Sequence, residues 1–107
     1  MYLEDLNGFP NYKITKEGKV YKITKKGKLK EVSASIEKNC GFSRVNIENG
    51  SGKWGTYLVH RLVYKTFKGG YEGDLVFIDG NKQNCNLENL ITVKELLEFY
   101  NRNKIDE

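Results

Sequence analysis

A short segment is spelled twice near the start of this chain. Tyr12-Lys-Ile-Thr-Lys-Glu-Gly-Lys19 is followed, after Val20 alone, by Tyr21-Lys-Ile-Thr-Lys-Lys-Gly-Lys28. A solenoid unit needs about 20–50 residues, so this short period points to strand–turn–strand packing instead. Tyr12 and Ile14 alternate with Lys13 and Thr15, and Tyr21 and Ile23 alternate with Lys22 and Thr24. That is the two-residue period of a strand with one face toward a core. Gly18 and Gly27 fall where a tight reversal needs positive φ. The reading is an antiparallel β-meander with strands at 12–15, 19–24 and 28–33, its lysines on the solvent face or at the turns.

Beyond the repeat, Phe42 to Glu48 alternates again, Asn49-Gly50-Ser51-Gly52 is a turn, and Trp54 to Leu58 returns as the hairpin partner. The period then changes. Val59, Leu62, Val63, Thr66 and Phe67 are spaced as one apolar stripe on a helix over 59–68, stopped by Gly69-Gly70. A short apolar step at 75–78, a polar loop at 79–86 and a strand at 90–92 lead into a last helix. Thr92-Val-Lys-Glu95 is a capping box for that helix, with Leu96, Leu97 and Tyr100 as its expected buried stripe. The fold class is α+β, with room in 107 residues for one core.

Charge is distributed unevenly. Residues 1–70 carry 14 Lys/Arg against 6 Asp/Glu, and residues 71–107 carry 4 against 8. Lys13, Lys16, Lys19, Lys22, Lys25, Lys26, Lys28 and Lys30 crowd into eighteen residues with one glutamate among them. So dense a cationic surface fits a polyanionic partner, most often nucleic acid. Glu4 and Asp5 stand where an export signal carries positive charge, and no apolar run reaches the length of a membrane span. Cys40 and Cys85 belong to no C-x-x-C pair, which argues against a disulfide framework or a four-cysteine zinc site and for reduced thiols in a cytoplasmic protein.

Three segments resemble the HNH homing-endonuclease family of phages and group I introns. Asp79-Gly80-Asn81-Lys82-x-Asn84 with Asn89-Leu90 is similar to the family core, and Leu58-Val59-His60-Arg61-Leu62-Val63 with Phe67 is similar to the helix before it. Gly8-Phe-Pro-Asn-Tyr12-Lys-Ile with Gly18-Lys-Val-Tyr21 resembles the small N-terminal module that often introduces these nucleases. The resemblance implies a β-meander module at 1–35 and a ββα-metal, HNH-like core at 36–107 with two main helices, packed as one unit.

The family pattern asks for a metal ligand followed by a histidine, then an asparagine, then a further ligand on the last helix. Histidine serves there as a general base with a pKa near neutrality, and the ligands hold a divalent cation against the scissile phosphate. Carried onto this chain, those positions fall on Val76, Phe77, Asn89 and Glu98. Valine and phenylalanine offer no lone pair. The expectation is a degenerate site with no catalytic residues, no metal and no cofactor: a chain that is not an enzyme. It would bind DNA without sequence preference through the eight lysines and Arg61, in the cytoplasm of a host bacterial cell. Two alternatives stand beside it. One is a phage-encoded inhibitor or sequestering protein aimed at a host or rival-phage factor or a small anionic ligand. The other is residual metal-dependent nicking through Asp79 and Glu98.

Other residues receive structural roles. His60, the sole histidine, is expected to be structural or DNA-facing rather than catalytic. Asp79, Asn81, Asn84 and Asn86 are expected to bond their own loop rather than calcium. Trp54, Tyr57 and Tyr64 are expected to pack in the core and hairpin rather than stack on bases.

Overall fold

The computed structural model describes residues 3–6 and 8–102. The repeat forms a four-stranded antiparallel meander, β1 (Glu4–Asp5), β2 (Tyr12–Ile14), β3 (Val20–Ile23) and β4 (Leu29–Val32), in sequential order. The three expected strands are present; β1 is an addition. Each repeat ends in the same turn. Thr15 Oγ1 accepts from the Lys19 N–H at 3.1 Å, and Thr24 Oγ1 accepts from the Lys28 N–H at 3.1 Å. Gly18 and Gly27 take φ of 92° and 79°. Thr15 is buried, not solvent-facing as its alternation suggested, because the first turn is packed over, with the Leu87 N–H donating to the Lys16 carbonyl at 2.7 Å and Gly18 lying against Cys85 and Val59. Thr24, with the same bonds in the second turn, is only half-buried.

Register overturns the simple picture of one lysine face. Tyr12 stands opposite Lys22, and Lys13 opposite Tyr21. Cross-strand partners point the same way, so Tyr12, Lys22 and Lys30 share one side of the sheet while Lys13, Tyr21 and Glu31 share the other. A repeat displaced by an odd number of residues across a hairpin inverts its own alternation. The identical segments therefore present opposite faces.

The second sheet has β6 (Ser43–Glu48) between β5 (Ser35–Ile36) and β7 (Trp54–Leu58). β7 runs directly into α1 (Val59–Lys68), whose last carbonyls end at Gly69, with φ of 90° and its N–H on the Lys65 carbonyl at 3.1 Å. Val45 and Ile47 on β6 and Val59, Leu62 and Val63 on α1 meet Leu6, Phe9, Tyr12, Ile14 and Val20 from the meander in one core. Fully buried valines such as Val59 and Val63 each contribute about 1.5–3 kcal/mol. Thr66 and Phe67, the end of the predicted stripe, are half-buried.

The chain closes with β8 (Leu75–Phe77) antiparallel to β9 (Leu90–Thr92), followed by α2 (Val93–Arg102): a ββα unit. The capping box forms as read, with Thr92 Oγ1 accepting from the Glu95 N–H at 3.1 Å. The expected buried stripe of α2 does not form. No residue of this helix is buried, and Leu97 and Tyr100 are 56% and 63% exposed. α2 is seated on β9 while α1 has already closed the core, so its apolar residues face outward. Among the described residues, no helix is long and apolar enough to cross a membrane. Cys40 is exposed, Cys85 is buried, and both are free thiols.

Candidate functional site

The loop between β8 and β9 is organised by side chains bonding to its own backbone. Asn89, on a short 3₁₀ turn (Leu87–Asn89), accepts the Asp79 N–H at 2.9 Å. Its Nδ2 donates to Asp79 Oδ1 at 2.9 Å and to the Asn84 carbonyl at 3.0 Å. Asn84 Nδ2 donates to Asp79 Oδ2 at 2.9 Å, and the Asn81 N–H donates to Asp79 Oδ1 at 2.8 Å. These donors, the Asn84 amide first, hold the Asp79 carboxyl below its ordinary range. Asn81, Asn84 and Asn86 each accept from a backbone N–H two residues on, the Asx-turn device.

The positions that the family pattern assigns to chemistry are distributed differently. Phe77 is buried on β8, half-buried Val76 precedes it, and Glu98 lies exposed on α2 beside a shallow hollow with Glu72 and Asn101. Glu98 is no part of the Asp79 network. The divalent ion implied by the resemblance does not fit these donors. Val76 supplies no ligand, the Asn89 oxygen is committed to the Asp79 amide, and both Asp79 oxygens already accept hydrogen bonds. Among the described residues, no three His, Cys, Asp or Glu side chains could share a metal.

His60, carried on the first turn of α1, lies directly against Phe77 with ring centroids 4.8 Å apart. Phe42 packs against both rings, tilted over His60 at 5.0 Å and stacked on Phe77 at 5.9 Å. The imidazole is 4% exposed and its Nδ1 is buried without a hydrogen-bond partner among the described residues. Burial first, then the neighbouring Arg61 charge, pushes its pKa down to about 4, so it is neutral at pH 7. Sequence spacing gave no sign that three distant segments would bring the one imidazole beside position 77.

The basic residues divide into groups. Lys13 is bridged to Asp5 at 2.5 Å on one side of the meander. Lys22 and Lys30 are directly opposed on the other. Lys16 and Lys19 occupy the first turn and Lys25, Lys26 and Lys28 the second, all exposed, and Arg61 is exposed on α1. Trp54, expected in packing, is instead 58% exposed at the start of β7, because the core face of the hairpin is taken by Val45, Ile47 and half-buried Tyr57. Tyr57 packs edge-on against Phe9 at 4.9 Å. Tyr64 is buried, and its hydroxyl donates to Glu95 at 2.5 Å, which ties α1 to the start of α2. That bond, with burial, pushes the phenol up to about 12.

A sequence profile described as HNH endonuclease matches residues 57–96. A solved structure, described as DNA binding and cleavage by the HNH homing endonuclease I-HmuI, is 34% identical, with a TM-score of 0.71. The match covers all of this chain and 62% of that one. No curated protein matches the chain. Both findings point to a nuclease, and they overturn the expectation that the chain is not an enzyme, which rested on the changed positions Val76, Phe77 and Glu98. With the polar loop in its ββα frame, the preceding helix and the meander all aligned to one such protein, this chain is a member of the HNH homing endonuclease-like family.

Proposed function

We propose that this chain acts on duplex DNA as an HNH homing endonuclease-like protein, holding phosphates through the lysines of the meander turns and the Lys22–Lys30 pair. The observation that carries this reading is the whole-chain likeness to a protein described as binding and cleaving DNA. The lysine clusters support it, since ammonium groups on turns and strands contact backbone phosphates and read little sequence. The setting is that of a phage or mobile element, as in the family the motifs resemble.

Strand cleavage is the activity the likeness favours. His60 is the imidazole beside position 77; burial holds its pKa at about 4, which makes it a weak base where it stands, so general-base work requires the ring to be hydrated first. Contact with water requires the Phe42–Phe77 cover to shift, so cleavage is tied to opening of that stack. The test is conversion of supercoiled plasmid to open circle, with and without added magnesium, alongside fluorescence anisotropy on two unrelated duplexes. Equal binding of both duplexes, and nicking lost in His60→Gln, is the expected result. Absence of nicking refutes the cleavage arm, and absence of binding refutes the whole reading. A pull-down from bacterial lysate that retains a protein band after nuclease digestion would favour the inhibitor alternative.

A further inference from the structure

Lys22 and Lys30 stand directly opposite one another on β3 and β4. Like charges in that position destabilise a sheet, and no salt bridge involves either lysine among the described residues. The same side of the meander faces the β6–β7 hairpin, where the Tyr12 hydroxyl accepts the Glu48 N–H at 3.3 Å. Between the two sheets lies an open hollow of about 320 Å³, lined by Lys22, Lys30, Asn46 and Trp54 among others. Glu31, whose register puts its side chain on the other side of the sheet, borders this hollow, and Glu48 borders the adjoining one, which Lys25 enters. Across the two hollows the pair and Lys25 stand against Glu31 and Glu48, three ammonium groups to two carboxylates. Lys22 Nζ sits 5.7 Å from the centroid of the Trp54 ring, and Trp54 remains 58% exposed.

We infer that this hollow binds an unpaired nucleotide of a DNA strand, its base stacked on Trp54 and its phosphates between Lys22 and Lys30. The inference rests on the DNA reading above and adds to it a site for single-stranded or unstacked DNA. The chemistry is that of a stacking platform in a cationic groove: an indole accepts any base on its open face, and the opposed ammonium groups gain the anion they lack. Asn46, exposed on the same face of the hairpin by its register opposite Thr56, offers an amide to a base edge. A paired duplex keeps its bases in the stack, so it engages the lysines without covering the indole.

Trp54 is the only tryptophan in the chain, so its emission reports on this site alone. The full chain is titrated with oligo(dT) and with a blunt-ended duplex, following tryptophan fluorescence for both and anisotropy with labelled strands. Oligo(dT) is expected to quench Trp54. Trp54→Ala is expected to bind oligo(dT) about 5- to 150-fold more weakly, the range for loss of one stacked base. Its duplex affinity should be unchanged, and Trp54→Phe should retain most of the parent's affinity for oligo(dT). Circular dichroism checks that each variant is folded, and the parent's quenching reads the site even where Trp54→Ala fails to fold. Oligo(dT) binding without quenching, or equal oligo(dT) affinity in parent and Trp54→Ala, overturns the site while leaving the duplex reading standing. Duplex binding with no oligo(dT) binding does the same. Failure to bind either form overturns both.

Discussion

Replacing Asn89 tests whether the polar loop is held by its own side chains. Asn89 is 8% exposed and makes two bonds to backbone: Oδ1 takes the Asp79 N–H at 2.9 Å, and Nδ2 gives to the Asn84 carbonyl at 3.0 Å. At about 0.5–1.5 kcal/mol net for each, Asn89→Ala costs about 1–3 kcal/mol. The third bond, to the exposed Asp79 carboxylate, is screened and adds no separate figure. For a domain near this size a loss of about 2 kcal/mol lowers the melting temperature by roughly 8–16 °C, readable by calorimetry at neutral pH. Asn89→Asp keeps the shape but turns a carboxylate oxygen toward Asp79 Oδ1 where a donor stood. In the parent, Asp79 is depressed in the folded state, so its contribution is present above the ordinary carboxyl pKa and is lost as pH falls through the lowered one. In Asn89→Asp the carboxylates repel and the pair takes up a proton above the ordinary value. Its stability relative to the parent therefore rises as pH falls through the carboxylate range. An Asn89→Ala protein that melts with the parent, or an Asn89→Asp protein with the parent's acid dependence, would refute this account of the loop.

Phe77→Ala empties the stack between Phe42 and His60 and is expected to cost about 3–5 kcal/mol; a urea midpoint equal to the parent's would contradict that packing. His60 is neutral down to about pH 4 when folded, against an ordinary 6.5, so the unfolded chain gains its proton first. Stability from this group is full above about pH 6.5 and declines toward pH 4, a slope that His60→Phe should flatten in pH-dependent melts. In duplex binding, Lys22→Ala and Lys30→Ala should each reduce the slope of log affinity against log salt by about 0.9. Lys13→Ala should change it less because Asp5 already holds that ammonium; equal slopes for all three would remove the distinction drawn from register.

Local chemistry made most of the elements legible in the sequence. Two copies of Thr-Lys-x-Gly-Lys close two identical turns because threonine hydroxyls and positive-φ glycines act within five residues. The helix 59–68 and the capping box Thr92–Glu95 likewise depend on neighbours three or four residues away, and the Asx pattern at 79–89 bonds its own loop. What lies across the fold was not legible. Which side of a sheet a lysine faces depends on hairpin register, and the odd offset between the repeats sent Lys13 and Lys22 to opposite sides. Whether an apolar stripe is buried depends on what remains to cover it. α1 had already sealed the core, so α2 is left with Leu97 and Tyr100 in solvent, and Trp54 is left open beside Lys22. The meeting of Phe42, His60 and Phe77 joins a hairpin strand's edge, a helix and a distant strand. Side-chain burial is a property of the assembled core, and only tertiary packing could bring those three rings together.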